Sequence, residues 1–424
     1  MGQISFFDGQ ERLKITKPIR LIELFAGYGS QSLALKYLGI PFEHHRICEW
    51  AVKSIQAYKD LHFGDDNTDY SAGISREDVE KFLFERGISA DYNQPMTMEQ
   101  IHRMGEQKQR RVYNNIKATR NLVSVCNCHA DDLAVTDTDK YTYIMTYSFP
   151  CQDLSSAGMM KGMGKDSGTR SGLLWEVERL LLEMKERPQI LLMENVPEVI
   201  GRKNIKHFAE WLKRLESLGY HCYWKCLNAK DYGVPQSRNR CFMVSVLGDA
   251  FYEFPEKVNL TKALKDVLQD TVEEKYFLSK RFIECMVRHN DNMTKSSGGF
   301  LFKPKSHNEK IANAILTKAW NRASDNFIIV SGHISFMREQ TGRVYDTNGC
   351  SPTLQTCSGG NLQPFIDVND KIRKLTPMEC FRLMGVKDDD FEVIAKNQSD
   401  SSLYHLAGDS IVVDVLMAIF KQML

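Results

Sequence analysis

The chain has 424 residues, of which 42 % are hydrophobic and 26 % charged, and its formal net charge is +1. These values are typical of a globular protein with a large and a smaller domain, and so small a net charge does not by itself indicate a nucleic-acid ligand. The chain lacks an 18-residue apolar run and an apolar N-terminal stretch, which argues against a membrane span and a signal peptide. Its eleven scattered cysteines indicate reduced thiols, so we expect a cytoplasmic protein without disulfides.

From residue 20 to residue 246, short apolar runs alternate with helical patterns, which predicts an α/β fold around a mostly parallel sheet. Strands are predicted at 20–25, 44–48, 142–147, 189–193 and 241–246, and helices at 31–38, 51–61, 173–186 and 205–218. Charged helical stretches at about 64–121 interrupt the alternation and are interpreted as an insertion. We therefore assign residues 1–255 to one large domain that carries this insertion.

A second, smaller and irregular domain is predicted for residues 256–385, where the sequence becomes polar and its periodicity weak. Residues 271–345 carry 12 Lys/Arg against 7 Asp/Glu, and residues 101–120 carry six against one. Such basic patches can follow phosphates, although an ordinary solvated surface explains each patch equally well. Residues 386–424 end in a strongly amphipathic stretch and are predicted to return to the large domain.

The first predicted strand leads directly into the turn Phe25-Ala26-Gly27-Tyr28-Gly29, which is followed by a helical pattern. Glycines allow a ligand to approach the backbone, and the N-terminus of a helix favours a negatively charged group. The third glycine of the dinucleotide-binding pattern is missing, because the run continues with Ser30. This disfavours NAD and favours S-adenosylmethionine, which has no pyrophosphate to hold.

Glu49 and Trp50 end the next predicted strand, about twenty residues beyond the glycines. A carboxylate at this place can bind both hydroxyls of a ribose, and the indole can stack on an adenine. An acid at a helix N-terminus and a core tryptophan would explain the two residues equally well.

Cys151 lies just past a predicted strand, in the turn Pro150-Cys151-Gln152. An isolated cysteine is more often an inert buried residue, but Glu194 ends the next strand at the same edge of the sheet. A thiol beside a carboxyl group can combine a nucleophile with an acid. Arg238 and Arg240 are alternate residues of an extended segment, so we expect both to point the same way and to orient a carbonyl oxygen or a phosphate.

Five motifs in this order resemble those of the DNA cytosine-5 methyltransferase family: Phe25-Ala26-Gly27-x-Gly29, Pro150-Cys151-Gln152, Glu194-Asn195-Val196, Gln236-x-Arg238-x-Arg240 and Gly408-x-Ser410. The resemblance covers residues 21–246 and 343–419, and the region 147–175 with the insertion is similar to the bacterial CG-specific members. It implies a Rossmann-like, S-adenosylmethionine-dependent methyltransferase sheet with a smaller target-recognition domain. It also implies a bacterial or phage enzyme that methylates C5 of cytosine in specific sequences of double-stranded DNA.

The resemblance further implies a role for each matching residue. Cys151 would add to C6 of a cytosine flipped out of the duplex, Glu194 would contact N3, and Arg240, supported by Arg238, would contact the base carbonyl. Asp132 would contact the adenine amine, with Asp131 as the alternative. The residues implied for cofactor binding are Phe25, Ala26, Gly27, Gly29, Ser30, Glu49, Trp50, Asp132, Leu133, Pro150, Leu173, Ser410 and Ile411.

Two positions depart from the family pattern. Ser30 replaces a usual glycine, which a small residue tolerates, and Asp409 replaces a usual asparagine, which removes an amide donor. A third feature, Cys126-x-Cys128-His129, invites a zinc hypothesis, but its spacing is too tight for a usual structural site and we expect no metal.

Two other functions share these motifs and remain open at this stage. A cytosine-5 methyltransferase acting on tRNA would use the same chemistry, although the long segment between Arg240 and Arg343 favours DNA. A catalytically silent DNA-binding relative is the second, and the presence of Cys151, Glu194 and Arg240 argues against it. We expect a monomer that does not bind membranes, with a cognate restriction endonuclease as a partner acting on the same site rather than in a stable complex.

Overall fold

The computed structural model describes residues 11–150, 170–277, 330–333, 343–346, 351–352, 365–368 and 371–424. Within these residues the largest sheet has six strands in the order β2-β1-β3-β4-β7-β5. Strands β1 to β4 are parallel neighbours, and β7 runs antiparallel to both β4 and β5. The strands of this sheet are β1 (Ile19–Leu24), β2 (Phe42–Cys48), β3 (Thr142–Tyr147), β4 (Ile190–Asn195), β5 (Tyr220–Asn228) and β7 (Asn239–Leu247). The predicted, mostly parallel α/β sheet is confirmed.

Helices connect these strands and cover both faces of the sheet. Side chains cap the N-termini of several helices; the hydroxyl of Ser75, for example, accepts the amide hydrogen of Asp78 at the start of α3. The helices described are α1 (Ser30–Tyr37), α2 (Val52–His62), α3 (Arg76–Arg86), α4 (Met98–Arg103), α5 (Glu106–Ala118), α6 (Ala130–Leu133), α7 (Leu174–Glu183), α8 (Ile205–Ser217), α9 (Pro377–Leu383), α10 (Asp388–Ala395), α11 (Asp400–Gly408) and α12 (Val413–Lys421).

The insertion predicted at about 64–121 forms the three helices α3, α4 and α5. Their apolar side chains, among them Val79, Leu83 and Ile116, build a separate small core. Ile55 of α2 belongs to the same core, and Trp50 packs against it. The insertion is therefore fastened to the polypeptide that directly follows β2.

The C-terminal segment completes one face of the sheet. Val413, Leu416 and Ile419 of α12 are fully buried in the same core as Leu21 and Leu33 of the N-terminal strand and helix. The stretch Asp400–Lys421 is apolar enough to cross a membrane by composition, yet 72 % of its most apolar window is buried inside the protein. Its apolar composition is therefore explained by its position in the core of the domain.

The helix α9 also lies in this core, although the sequence analysis assigned residues up to 385 to the smaller domain. Thr376 and Glu379 cap α9 reciprocally, and Phe381 packs with a ring-centroid distance of 5.4 Å against Tyr28. The described packing therefore moves α9 into the large domain, because its apolar face has the main core as its partner. The extent of the smaller domain otherwise stays a prediction.

Short strands are present in the region predicted to be irregular. Four of them form a sheet in the order β12-β11-β9-β8, and β10 pairs with β6 in parallel. Their bounds are β6 (Gln236–Ser237), β8 (Val330–His333), β9 (Arg343–Asp346), β10 (Ser351–Pro352), β11 (Phe365–Val368) and β12 (Lys371–Lys374).

Candidate active site

The turn after β1 is held in an unusual backbone conformation. Phe25 and Gly27 have φ angles of 60° and 57°, and Gly29, which caps α1, has a φ of 85°. The amide groups of Phe25 and Ala26 both donate to the carbonyl of Cys48 at the end of β2, at 2.8 and 3.2 Å. A residue other than glycine, such as Phe25, costs free energy when its backbone adopts a positive φ angle. Such residues concentrate at ligand sites.

The two glycines of this turn have different surroundings. A Cβ atom at Gly29 would lie 2.4 Å from Nε2 of His62, whereas a Cβ at Gly27 would meet nothing within 4 Å. Gly29 is therefore required by the packing of the protein itself. Gly27 instead leaves open space in front of the backbone, which is what a bound ligand needs.

A buried polar network packs beneath the sheet end of this turn and stabilises it. The sequence did not predict this network. Glu23 accepts hydrogen bonds from the hydroxyls of Ser32 and Tyr58, both at 2.5 Å. Burial raises the pKa of Glu23 to about 7, although these donors oppose the shift. His62 contacts the carbonyl of Tyr28 at 2.9 Å. Only the alternation of polar residues inside apolar elements could have indicated these contacts.

Glu49 lies opposite this turn, at the end of β2. Its Oε2 accepts the amide hydrogen of Gly27 at 2.8 Å and its Oε1 that of Ala51 at 2.7 Å. Asn121, at the end of the insertion, fixes the Glu49 backbone through two hydrogen bonds of 3.0 and 2.8 Å. Burial, together with the nearby charge of Asp409, raises the pKa of Glu49 to about 7. A carboxylate can accept about four hydrogen bonds, so these backbone contacts leave acceptor capacity for a ligand hydroxyl.

Three other predicted cofactor residues have distinct surroundings. Trp50 is half-buried against the core of the insertion, so the core explanation is right for at least part of its ring. Asp132 is exposed and its Oδ2 accepts the amide hydrogen of His129 at 2.9 Å. Leu133 is fully buried among core side chains, and its backbone carbonyl lies 3.0 Å from Nε2 of His45.

The segment between α11 and α12 brings Ser410 and Ile411, both buried, to the same turn. The Tyr28 hydroxyl donates to Ser410 Oγ at 3.0 Å, which ties the glycine turn to the C-terminal segment. Ser30, the residue that replaces a glycine, is also buried. These contacts bring together residues almost four hundred positions apart.

Arg238 binds the C-terminal segment. It is buried, and its Nη2 donates to the carbonyls of Gly408 and Ser410 at 2.9 and 2.8 Å. The charges of Arg238 and Arg240 both act on Glu194 and Asp409. The expectation that the two guanidiniums point the same way stays a prediction.

Arg240 forms an ion pair with Glu194. Its Nε lies 3.1 Å from Oε1 of Glu194, and both side chains are largely buried. Burial raises the pKa of Glu194, while the positive charges of Arg240 and Arg238 oppose the shift. A raised pKa favours the protonated form of the carboxyl group, and in that form Glu194 can donate a hydrogen bond to a ring nitrogen.

Asn195, next to Glu194, organises the chain that leads to the predicted nucleophile. Its Nδ2 donates to the carbonyl of Phe149 at 2.9 Å, and its Oδ1 accepts the amide hydrogen of Val196 at 2.9 Å. Pro150 follows Phe149 and is half-buried, as is Leu173 at the start of α7. Cys151 lies outside the described residues. The last described residue before it, Pro150, comes directly after the backbone that Asn195 holds.

Asp409 is an exposed residue at the end of α11, yet the surrounding protein partly desolvates its carboxyl group. This desolvation raises its pKa to about 6; the charge of Glu194 acts in the same direction, and those of Arg238 and Arg240 oppose it. The charge of Asp409 also acts on Glu49. Ser410, the next residue, binds the Tyr28 hydroxyl and Arg238, so the C-terminal segment connects the glycine turn with the arginine motif.

The described residues contain no group of three or more His, Cys, Asp or Glu side chains arranged to hold a metal ion. Of the residues in the zinc hypothesis, Cys126 is exposed and Cys128 is buried.

The geometry fits S-adenosylmethionine better than a dinucleotide. The crevice lies beyond the carboxyl ends of β1, β2 and β4, the usual ligand site of such sheets. It offers open space before Gly27, a carboxylate at Glu49 for ribose hydroxyls, and only two glycines in the turn. At its other end, a buried carboxyl group and a guanidinium lie beside the segment leading to a cysteine. This defines a methyltransferase-type crevice joined to a site for a planar, hydrogen-bonding base.

The sequence pattern of the family described as C-5 cytosine-specific DNA methylase matches residues 105–424, more than half of the chain. The chain belongs to this family. Type II methyltransferase M2.ScrFI of Lactococcus lactis subsp. cremoris is 32 % identical over 408 residues, which cover 96 % of this chain and 99 % of that protein. Orphan methyltransferase M.SssI of Spiroplasma monobiae is 33 % identical over 419 residues, which cover 96 % of this chain and 97 % of that protein.

Solved structures show the same fold. A Dnmt2 methyltransferase of S. pombe superposes with a TM-score of 0.56 at 16 % identity, covering 95 % of this chain and 98 % of that one. A putative DNA modification methyltransferase of an E. coli prophage gives a TM-score of 0.53 at 16 % identity, covering 96 % and 98 %.

The family membership establishes the activity of the protein. It is a DNA (cytosine-5-)-methyltransferase that acts on specific sequences and uses S-adenosylmethionine as its methyl donor. The expectations on fold, reaction and cofactor are confirmed, and the alternatives of a tRNA enzyme and a silent relative are not supported. The roles of individual residues stay predictions.

Proposed function

We propose that Cys151 attacks C6 of a cytosine flipped out of duplex DNA, while Glu194 and Arg240 hold the base. The observation that carries this proposal is the buried pair in which Arg240 Nε lies 3.1 Å from Glu194 Oε1. It lies at the carboxyl end of β4, beside the end of β3 that leads through Pro150 to Cys151.

The proposed reaction begins at C6 of the flipped cytosine. The Cys151 thiolate forms a bond to C6, the electrons of the C5–C6 double bond become available at C5, and Glu194 donates a hydrogen bond to N3, where negative charge builds up. When bound, S-adenosylmethionine would supply an electrophilic methyl group to C5, and the electrons of its broken S–CH3 bond would stay on the sulfur of the departing thioether. A base then removes the C5 proton, the S–C6 bond breaks, and Cys151 leaves as a thiolate. Because a stacked base cannot reach such a site, the cytosine has to leave the duplex.

The raised pKa of Glu194 supports its role. The protonated form of the carboxyl group, which the raised pKa favours, can donate to N3, whereas the ionised form would repel the charge that develops there. Arg240 gives Glu194 a partner of opposite charge, so that an ionised Glu194 is not an isolated buried charge. Its N–H groups can also donate hydrogen bonds to the carbonyl of a base. Arg238 acts on the site as a positioning residue, since it holds the carbonyls of Gly408 and Ser410.

For the cofactor, we propose that Gly27 and Gly29 shape the turn, that Glu49 binds the ribose hydroxyls, and that Asp132 contacts the adenine amine. Ser410 and Ile411 close the opposite side. The support lies in the positive φ angles of the glycines, the open space before Gly27, and the anchored Glu49 carboxylate.

The finer biological assignments are also part of this proposal. Residues 256–385 without α9 would read the DNA sequence, with a CG-containing site suggested by the resemblance to CG-specific members. The protein would act as a cytoplasmic monomer of a bacterium or phage, and a restriction endonuclease would recognise the same site without forming a stable complex. The type II names of relatives support the last point.

A duplex carrying 5-fluorocytosine tests the nucleophile. Fluorine at C5 cannot leave as a cation, so the covalent adduct between protein and DNA should accumulate in the presence of S-adenosylmethionine. The adduct should be absent in Cys151→Ser and undiminished in Cys126→Ser, which alters an exposed cysteine. An adduct that persists in Cys151→Ser would place the nucleophile elsewhere. Bisulfite sequencing of DNA from cells that express the protein would then give the recognition sequence.

A further inference from the structure

The loop between α3 and α4 of the insertion lies directly beside Glu49. The amide of Ser89 donates to the carbonyl of Trp50 at 2.8 Å, and the amide of Val52 donates to the carbonyl of Ser89 at 2.9 Å. Ser89 thus pairs in parallel with Ala51, whose amide binds the Glu49 carboxylate. We define this loop as residues 89–96. Its first residue is therefore paired with Ala51, which lies two positions after the proposed ribose-binding acid Glu49.

Tyr92 holds a strained position in this loop. Its φ angle is 64°, a left-handed conformation that a bulky residue rarely adopts. The side chain of Asp91 stabilises the turn, since its Oδ1 accepts the amide hydrogens of Asn93 and Gln94 at 2.9 and 3.3 Å. Strain of this kind persists where the surrounding structure fixes it, and it clusters at ligand sites.

The side chain of Tyr92 joins the two walls of the crevice. Its hydroxyl lies 3.2 Å from Ser54 Oγ on α2, the helix that follows Glu49. Its ring packs on His405 with a centroid distance of 3.9 Å. His405 belongs to α11, and its carbonyl accepts the amide hydrogen of Asp409 at 3.0 Å. One aromatic side chain from the insertion therefore connects the Glu49 side with the Asp409 side.

The Tyr92 hydroxyl lies near the carboxyl groups of the proposed site. Burial raises the pKa of Tyr92, and the carboxylates of Glu49 and Asp409 act in the same direction. Tyr92 is nevertheless only partly buried, so it retains surface that a ligand between these two carboxylates can cover.

We propose that loop 89–96 of the insertion forms one wall of the S-adenosylmethionine site, with Tyr92 as a cofactor-binding residue seated on His405. The insertion is then part of the catalytic machinery and not a surface addition. This inference rests on the proposed function, because it takes the ligand between Glu49 and Asp409 to be the cofactor. The competing explanation is that Tyr92 only clamps the insertion onto the domain, with no contact to the cofactor.

Hydrogen exchange of the unaltered, full-length protein separates the two explanations. S-adenosylmethionine should slow exchange at the amides of Asn93 and Gln94, since a ligand against Tyr92 stabilises the turn that these amides close. The amides of α3, on the same insertion but outside the crevice, serve as the reference within the molecule. Unchanged exchange in loop 89–96 at saturating cofactor would overturn the proposal.

Calorimetric titration with S-adenosylmethionine gives an independent test. Tyr92→Ala should weaken the affinity about tenfold or more, since it removes an aromatic contact area, whereas Tyr92→Phe keeps the ring and should stay within about threefold. Phe84→Ala is the matched control, because Phe84 is an exposed aromatic residue of α3 in the same insertion. A folded Tyr92→Ala protein with unaltered affinity would show that Tyr92 is only a clamp.

Glu49→Gln distinguishes failure of this inference from failure of the proposed function. If Glu49→Gln binds the cofactor as tightly as the unaltered protein, the proposed cofactor site is wrong, and the wall formed by Tyr92 is wrong with it. If Glu49→Gln binds weakly while Tyr92→Ala and loop 89–96 show no effect, only the role of Tyr92 is wrong.

Discussion

The Nε atom of Arg240 lies 3.1 Å from Oε1 of Glu194, and neither side chain is more than 16 % exposed. The backbone register explains this contact, since Glu194 is paired with Phe242 across the antiparallel strands β4 and β7, two residues beyond Arg240. A buried ion pair adds little net stability, but either charge left alone is costly. The pair is therefore better suited to holding a substrate than to stabilising the fold.

Arg240→Met should reduce the rate of DNA methylation by about 10²–10³-fold, the range expected when a preorganised donor is removed. The affinity for S-adenosylmethionine should change little, because Arg240 lies at the base end of the crevice. Steady-state methylation of a cytosine-containing duplex and calorimetric cofactor titration would measure the two effects. Lys225→Ala, which alters an exposed cation on β5, is the control. Unchanged turnover in Arg240→Met would remove Arg240 from the site.

Asn195→Ala should slow the reaction through the backbone it holds. The substitution removes the donor to the Phe149 carbonyl and leaves a buried acceptor unsatisfied, which destabilises the fold by about 1–3 kcal/mol. Because Phe149 lies two residues before Cys151, we expect kcat to fall about tenfold or more while the KM for cofactor stays constant. Asn195→Asp retains the acceptor for Val196 but loses the donor, so it should resemble Asn195→Ala in kcat. A normal kcat in both variants would refute the positioning role.

Substituting the two glycines of the turn should separate stability from ligand binding. Gly29→Ala places a Cβ 2.4 Å from His62 Nε2 at a φ of 85°, so the free energy of unfolding should fall by about 1–3 kcal/mol or more. Gly27→Ala adds strain but meets no atom within 4 Å, so it should cost about 1 kcal/mol and chiefly weaken cofactor binding.

Urea denaturation and calorimetric titration would measure both properties of these variants. Gly39→Ala, which also has positive φ and free space but lies at the end of α1, should lose a similar stability and bind the cofactor normally. Equal cofactor affinities in Gly27→Ala and Gly39→Ala would show that the space before Gly27 is not part of the ligand site.

The sheet could be predicted from the sequence because its central strands are continuous apolar runs. β3 was predicted with its observed bounds, and β1 and β4 within one or two residues. β5 escaped prediction because it is an edge strand whose buried and exposed residues do not alternate regularly. The division of the C-terminal stretch into α11 and α12 depends on Asp409–Val412 meeting the glycine turn, which is a tertiary contact.

The positions of Glu49, Glu194 and Arg240 at one edge of the sheet could be predicted from the strand ends. The carboxyl edge of a parallel sheet brings such residues together. The partner of Arg238 was not predictable, because the carbonyls of Gly408 and Ser410 lie 170 residues or more away. The position of Tyr92 likewise depends on a strained turn and on His405, and no local pattern reports either.

Asp409 should make the stability of the protein depend on pH in a characteristic direction. Its pKa is raised to about 6 in the folded protein, against an ordinary value near 4 in an unfolded chain. The folded state therefore binds this proton more tightly, and the Asp409 contribution to stability decreases as pH rises through the interval between these two values. Asparagine has nearly the same shape and no charge, so Asp409→Asn removes this contribution.

We expect Asp409→Asn and the unaltered protein to have similar free energies of unfolding at about pH 3.5, below both pKa values, and the variant to become the more stable one as the pH rises to about 6 and above. The ionised carboxylate of the unaltered protein then lies near those of Glu49 and Glu194, and Arg238 and Arg240 offset this repulsion only in part. Urea denaturation at intervals between about pH 3.5 and 8 measures the difference, with Asp249→Asn, at an exposed residue, as the control. A stability difference that does not vary with pH would mean that the carboxyl group of Asp409 is not held among these charges.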